Sequence, residues 1–210
     1  MRKHQADLSH CGPDATGGGT ACPTIKDFDM SDLTLAPELS VSEWFNTPQP
    51  LSIAGLRGKV IYLHSFQLLC PGCVAESLPQ VRRIERIFAS TDLQVIGLHT
   101  VFEHHEAMTP TVLRAFIHEY RLTSPIGVDQ ADGRSDIPVT MRRYGFRGTP
   151  SSVLIGRDGT ILHHAFGVED DIALGARIGM ALAAPIPAAM SGDKAEGCAT
   201  GVCTIPASAA

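Results

Sequence analysis

Hydrophobic residues along the middle of the chain follow alternating strand-like and helix-like patterns. Residues 60–74, VIYLHSFQLLCPGCV, begin as a β-branched apolar run that predicts a buried strand. Apolar residues then recur at helical spacing at Val74, Leu78, Val81, Ile84 and Phe88. A strand therefore leads into a helix that we expect to run to about residue 90, with Cys70-Pro71-Gly72-Cys73 at the junction.

After that helix the alternation continues and then changes. Two late apolar runs are separated by Asp158-Gly159, which is typical of an antiparallel hairpin. The predicted elements are a strand at 93–100, a helix after Thr109-Pro110, a strand at 125–129, a short helix at 137–144, strands at 151–156 and 160–166, and a last helix to about 184. Before them, residues 39–59 are expected to form a short hairpin or flap. This order predicts an α/β fold with a central mixed sheet flanked by helices.

Composition divides the chain into a core and two tails. The chain has 210 residues, of which 44% are hydrophobic, so it can bury the core of one domain. The N-terminal stretch contains Gly17-Gly18-Gly19 and little periodic apolarity, and the C-terminal stretch is rich in Ala, Gly, Pro and Ser. We therefore predict a domain at 39–184 between flexible tails at 1–38 and 185–210.

Charge and hydropathy restrict the kinds of partner and the cellular compartment that the sequence predicts. The net charge of -5 argues against nucleic acid as a partner. No apolar run approaches the roughly 18 residues of a membrane span. Basic N-terminal residues are followed by polar and glycine-rich sequence rather than by the apolar block of a signal peptide. The sequence as written predicts a cytoplasmic protein, and a missing leader would make it periplasmic.

The strand-helix junction carries the candidate chemistry. The unpaired N–H groups and positive dipole end of a helix stabilise an anion, so Cys70 is expected to be a thiolate. The two-residue spacer brings Cys73 close enough to form a small, reversible disulfide with it. Two buried thiols or half of a zinc site are the alternatives, but a C-x-x-C beside a strand-helix pattern indicates redox chemistry first.

Two other clusters carry weaker signals. The candidate metal ligands of the loop after the second strand are His99, Glu103, His104, His105 and Glu106. They lack the spacing of a zinc protease, so we expect a solvated loop and assign no metal. Cys198 and Cys203 lie in the C-terminal tail, where they are a possible redox relay to the dithiol, a soft-metal site or two thiols without a function.

The order of these motifs resembles the thioredoxin superfamily. The CPGC helix, the later Gly148-Thr149-Pro150 loop and the final hairpin are most similar to its TlpA-like and redoxin branch, as are SIAGLRGKVIYL and RDGTIL. That branch carries a strand-helix insertion before the cis-proline loop, and residues 100–135 could hold it. The resemblance covers roughly residues 40–184. It implies that Cys70 attacks a substrate, that Cys73 resolves the mixed disulfide, and that Thr149 and Pro150 form a substrate-binding cis peptide.

Some positions depart from the superfamily pattern. Thioredoxins commonly carry Trp just before the first cysteine and a buried acid six residues before it, whereas this chain has Leu69 and His64 there. His64 is a candidate base for the second thiol, although a core histidine bonded to the backbone explains it equally well. Peroxiredoxins need proline and Thr or Ser where this chain has Leu63 and Gln67, which disfavours a peroxidase pocket.

These features predict an enzyme that reduces or exchanges disulfides of protein or small-thiol substrates through Cys70 and Cys73. In the cytoplasm, an electron donor of the thioredoxin or glutathione type would restore the dithiol. The chemistry needs no cofactor. Two alternatives stay open: a peroxiredoxin-like thiol peroxidase that uses Cys70, and a non-enzymatic metal-binding or redox-sensing module.

Overall fold

A six-stranded sheet lies at the centre of the structure, a computed structural model in which residues 34–185 are described. The strands are β1 (Val41–Phe45), β2 (Val60–Phe66), β3 (Leu93–His99), β4 (Ile126–Asp129), β5 (Ser151–Ile155) and β6 (Ile161–Phe166). The helices are α1 (Leu78–Ile87), α2 (Pro110–Glu119), α3 (Val139–Tyr144) and α4 (Asp171–Ala183), with 3-10 turns at Ala54–Leu56 and His105–Ala107. A π-helical turn, Cys73–Ser77, leads directly into α1.

The sheet is mixed, in the order β1-β4-β3-β2-β5-β6. β2, β3 and β4 are parallel to one another, whereas β1, β5 and β6 run antiparallel to the strands they pair with. Parallel neighbours require crossover connections, and the crossover helices cover the sheet faces. All seven residues of β2 are buried as a result. The predicted α/β fold with a central mixed sheet is confirmed.

Alternate residues of β2 enter two different core clusters. Ile61 and Leu63 pack with Met141 of α3 on one sheet face. Val60 and Tyr62 pack with apolar residues of α1 and α4 on the other face. The helix that follows the dithiol therefore covers the Tyr62 face of the central strand. Cys73 packs on the same face, against Phe66.

The strand-helix insertion is present between α1 and the loop that precedes β5. α2 and β4 occupy it, and α2 begins where the sequence predicts. The Thr109 hydroxyl accepts the N–H of Val112, and Pro110 takes the first helical position, where a missing N–H costs nothing. The insertion adds β4 to the sheet next to β3.

Residues 39–59 contain one strand and a 3-10 turn rather than the expected short hairpin or flap. β1 instead pairs antiparallel with β4 at the edge of the sheet, and Trp44 packs against the core. Gly127 of β4 allows this close approach, because a Cβ there would lie 2.9 Å from the Val41 side chain. Two strands and two helices separate β1 from β4 in the chain, so no local pattern marks their pairing.

The fold begins before residue 39, where the sequence predicts the start of the domain. Ala36 is buried, and its N–H donates to the carbonyl of Gly159 at 2.9 Å. The Glu38 carboxylate accepts the N–H groups of Ile53 and Ala54 at 2.8 and 2.7 Å. These partners are distant in the sequence, so local composition carries no signal for the contacts.

The predicted tails fall mostly on residues 1–33 and 186–210, which lie outside the described part of the chain. The division of the chain into one domain and two tails therefore stays a prediction. Within residues 34–185, none of the helices has the length and apolar character that a membrane crossing requires.

Candidate active site

The dithiol lies between the end of β2 and the start of the helix that continues as α1. Cys73 begins the π-helical turn that leads into α1, and such turns are frequent at functional sites. The Cys73 thiol donates to the Cys70 sulfur, with 2.6 Å between the two sulfur atoms. The Cys73 backbone N–H also donates to the Cys70 sulfur, at 3.3 Å. The start of the helix thus supplies a backbone N–H donor to the Cys70 sulfur.

The two sulfurs differ in exposure. Cys70 is half-buried, whereas Cys73 is completely buried in a cluster with Phe66, Leu78 and other apolar side chains. Burial, reinforced by the hydrogen bond to Cys70, raises the pKa of Cys73 to about 12. The Cys73 thiol is therefore protonated at neutral pH, and Cys70 is the sulfur of the pair that a substrate can reach.

The loop before β5 packs against the dithiol. Its Thr149-Pro150 peptide is cis, and the Cys70 thiol donates to the Thr149 carbonyl oxygen at 3.4 Å. The Gly167 N–H donates to the Pro150 carbonyl at 2.8 Å and holds the loop against the end of β6. Thr149 and Pro150 thus lie beside the Cys70 sulfur, and their role in substrate binding stays a prediction.

His64 lies on the same face of β2 as Tyr62 and Phe66, beneath the helix of the dithiol. Its ring centroid lies 6.4 Å from that of Tyr62 and 5.6 Å from that of Phe66. The side chain is 2% exposed, and neither ring nitrogen has a hydrogen-bond partner within residues 34–185. Burial lowers the pKa of His64 to about 4, so the imidazole is neutral at pH 7. The backbone hydrogen bond of a purely structural histidine is thus missing in the described chain.

A glycine on the neighbouring strand makes room for this ring. Gly97 lies opposite His64 in the β2-β3 ladder. A Cβ at Gly97 would lie 3.2 Å from the His64 Nε2 atom and 3.3 Å from the Phe66 ring. A glycine inside an apolar strand often marks such a close approach, so Gly97 in the predicted strand is a sequence signal for this packing.

The candidate metal ligands after β3 are not brought together. His99 ends β3 and is wholly buried, with its ring centroid 5.6 Å from that of Phe66. The other four are exposed on the loop that follows: Glu103, His104, His105 and Glu106. No group of three or more His, Cys, Asp or Glu side chains in the described residues could hold a metal ion. His64 and His99 both pack against Phe66, an arrangement that the sequence analysis missed.

The structure does not add the remaining candidate positions of the sequence, Leu63, Cys198 and Cys203, to the site. Leu63 is fully buried in the core on the α3 face of the sheet, away from His64. The position at which peroxiredoxins carry proline therefore points into the core here. Cys198 and Cys203 lie outside the described residues, so a relay through them stays a prediction.

Together, the mixed sheet, the dithiol at a helix start and the cis-proline loop beside it define a protein of the thioredoxin-like class. The crystal structure of a thioredoxin-like superfamily protein is 48% identical, with a TM-score of 0.71 over 73% of this chain and 99% of that chain. A thiol-disulfide isomerase from Corynebacterium glutamicum is 44% identical, with a TM-score of 0.70 over 74% of this chain and 100% of that one. No family model and no curated protein matches the sequence.

A third solved structure, a thioredoxin-like protein in its oxidised form, is 22% identical and shares the fold, with a TM-score of 0.59 over 72% of this chain and 96% of that one. The chain belongs to the thioredoxin-like superfamily. Its activity is that of a thiol-disulfide oxidoreductase in the general sense, which confirms the predicted class of enzyme.

Proposed function

We propose that Cys70 and Cys73 are the redox centre of this oxidoreductase and that they reduce or exchange disulfides in polypeptide or small-thiol substrates. The observation that carries the proposal is the pair of sulfurs 2.6 Å apart, one accessible and one buried. Unequal exposure gives them unequal roles, since a substrate reaches Cys70 first. The isomerase from Corynebacterium glutamicum supports exchange as part of the activity.

Cys70 carries out the first step. Its thiolate attacks one sulfur of the substrate disulfide, forms a mixed disulfide and releases the other substrate sulfur as a thiolate. The Cys73 N–H, at 3.3 Å, stabilises the Cys70 thiolate before the attack. Thr149 and Pro150 line the approach to that sulfur, so an extended substrate segment would bind along their loop.

Cys73 carries out the second step. Its thiol loses a proton, and the resulting thiolate attacks the Cys70 sulfur of the mixed disulfide. The bond between Cys70 and the substrate breaks, and the second substrate sulfur leaves as a thiolate and takes up a proton. A Cys70-Cys73 disulfide forms, and two electrons have passed to the substrate. Because the pKa of Cys73 is about 12, this step needs a nearby base, and we assign that role to His64.

A second thiol compound has to return the dithiol to its reduced state. We propose a donor of the thioredoxin or glutathione type, as suits the predicted cytoplasmic compartment. The direction of exchange depends on the reduction potential of the Cys70-Cys73 couple relative to that compartment. Cys198 and Cys203 are candidate intermediates between donor and dithiol.

The test is to equilibrate the full-length protein in graded glutathione buffers, alkylate the free thiols and map each cysteine by mass spectrometry. We expect a Cys70-Cys73 couple, with a potential near or below about -220 mV for a cytosolic reductase and near about -120 mV for an oxidant. Cys70→Ser should abolish disulfide reduction, and Cys73→Ser should accumulate the mixed disulfide.

The Cys198→Ser, Cys203→Ser double variant is the matched control, since it removes two thiols and leaves the proposed centre intact. Oxidation that joins Cys198 to Cys203 and never joins Cys70 to Cys73 would contradict the proposal. Peroxide consumption that depends on Cys70, without reduction of disulfides, would favour the peroxidase alternative.

A further inference from the structure

Two large apolar side chains are exposed next to the dithiol and its loop. Leu69 directly precedes Cys70 and is 56% exposed, and Phe166 at the end of β6 is 51% exposed. Exposed apolar side chains that border a reactive group mark a surface that another molecule covers. Such a surface offers a polypeptide substrate far more contact than it offers a small disulfide.

The fold holds Phe166 against the cis-proline loop. Phe166 pairs with Ser151 in the β5-β6 ladder, and the next residue, Gly167, donates its N–H to Pro150. Gly148 lets the ring come close, because a Cβ there would lie 3.1 Å from the Phe166 ring. The Phe166 ring is therefore a fixed platform against Gly148, the residue that precedes Thr149.

Arg147 lies over this platform. Its guanidinium carbon is 5.1 Å from the centroid of the Phe166 ring, within the range of a cation-π contact. The residue is exposed, and no carboxylate among residues 34–185 forms an ion pair with it. Arg114 makes a similar contact with Phe45, but its guanidinium is bound to Glu43 at 2.9 Å. Arg147 is thus held in place by an aromatic face while its N–H donors stay available to a ligand.

The other flank of the dithiol has the opposite charge. A groove of about 430 Å³ lies between the start of the dithiol helix and the loop before α4. Four acidic side chains and one arginine line it: Glu76, Glu169, Asp170, Asp171 and Arg83. Asp171 is paired with Arg83 and Glu169 with Arg177, so the excess negative charge of the groove comes from Glu76 and Asp170. A negative substrate residue is therefore placed less favourably there than on the Arg147 side.

We propose that Arg147, held over Phe166, is a specificity-determining residue that selects polypeptide disulfides carrying a carboxylate side chain close to the reactive cysteine. The guanidinium binds the carboxylate, while Leu69 and Phe166 cover the apolar part of the same segment. Electrostatic complementarity of this kind fixes the register of a bound segment and speeds its encounter. The inference rests on the proposed function, because Cys70 has to be the sulfur that the segment approaches.

The experiment uses synthetic peptides joined in pairs by one disulfide, with Glu, Gln or Lys scanned over three positions on each side of the cysteine. The quantity measured is the ratio of kcat/KM for the Glu peptide to that for the Lys peptide at each position. For the wild-type protein we expect a preference for Glu of about 5- to 10-fold on one side of the cysteine, which decreases with added salt.

The variants separate a charge effect from a folding defect, because the ratio compares two substrates of one protein. Arg147→Gln should bring the ratio close to one, Arg147→Glu should reverse it, and Arg147→Lys should retain part of it. Phe166→Leu should weaken the preference, since it keeps an apolar surface but removes the aromatic face. Arg114→Gln, which lies in the other cation-π pair, is the matched control and should keep the wild-type ratio.

Equal rates for Glu and Lys peptides at every position in the wild-type protein would overturn the proposal. A preference that survives Arg147→Gln would overturn it as well. Absence of any reduction, including that of the uncharged disulfide of 2-mercaptoethanol, would instead remove the proposed function and the inference with it. The two failures are therefore distinguishable.

Discussion

At the scale of single residues, the site combines a thiol that holds its proton with a neutral imidazole on the sheet face beneath it. Burial raises the pKa of Cys73 to about 12 and lowers that of His64 to about 4. The proposed transfer of the Cys73 proton to His64 would create a thiolate and an imidazolium in buried surroundings, where attraction between opposite charges offsets part of the burial cost. Buried polar groups are rarely left without a partner, and the His64 ring has none among residues 34–185, which supports the proposed role as a base.

The variant His64→Gln tests this role, because it keeps a polar side chain of similar size but removes the base. We expect the attack of Cys73 on a preformed mixed disulfide to slow about 10- to 100-fold at pH 7. In this variant the rate of the Cys73 attack should also increase steadily with pH, because hydroxide takes the place of the internal base. Rapid-quench measurement of substrate release between pH 6 and pH 9 checks both expectations.

The control is His64→Asp, which places a carboxylate where the resemblance to thioredoxins leads one to expect an acid. It should recover much of the rate at pH 7. If His64→Gln leaves the rate and its pH profile unchanged, His64 is a core residue and Cys73 loses its proton by another route.

At the scale of elements, close packing between β2 and β3 holds the histidine in place. Gly97→Ala would put a Cβ 3.0 Å from Ile126, 3.2 Å from His64 and 3.3 Å from Phe66. These neighbours are buried and have little room to move, so we expect a loss of about 1–3 kcal/mol in the free energy of unfolding. Urea unfolding of the reduced protein measures the change.

Gly175→Ala in α4 provides the comparison, since no other part of the described chain lies within 4 Å of its Cβ position. Alanine is favoured over glycine inside a helix, and this variant should gain about 0.5–1 kcal/mol. If both variants are equally stable, the strands pack less closely around His64 than the structure indicates.

At the scale of the whole molecule, the two buried histidines make stability depend on pH. Burial lowers the pKa of His64 and of His99 from 6.5 to about 4. Below pH 6.5 the unfolded chain binds protons that the folded protein does not, so stability falls as the pH falls towards 4. For each histidine we expect a loss of about 2 kcal/mol between pH 7 and pH 5. Burial raises the pKa values of Glu85 and Asp129, which opposes this loss in the lower part of the range.

Comparison with His99→Gln isolates the contribution of one histidine from that of the carboxylates. Urea unfolding at pH 7, 6 and 5, with both cysteines reduced, should show that the variant loses about 2 kcal/mol less than the wild-type protein over this range. Parallel stability curves for the two proteins would mean that His99 reaches solvent and titrates normally in the folded state.

Local patterns accounted for most of the sheet and for the dithiol. The β-branched run of β2, the Thr109-Pro110 start of α2 and the Asp158-Gly159 turn each depend on neighbours within a few residues. The insertion and the cis-proline loop came from resemblance, and the structure contains both. Contacts outside these patterns have a common cause: β1 and Ala36 find their partners far along the chain, whereas composition predicted a hairpin or flap for residues 39–59 and a domain start at residue 39.

The sequence by itself determined the order of elements and the position of the dithiol, because periodicity and short spacing are properties of neighbouring residues. Tertiary structure alone decided which sulfur is buried, that His64 and His99 meet at Phe66, and that Arg147 lies over Phe166. Each of these contacts joins separate elements of the fold. Burial, and with it the pKa of a thiol or an imidazole, is set by everything that packs around a group.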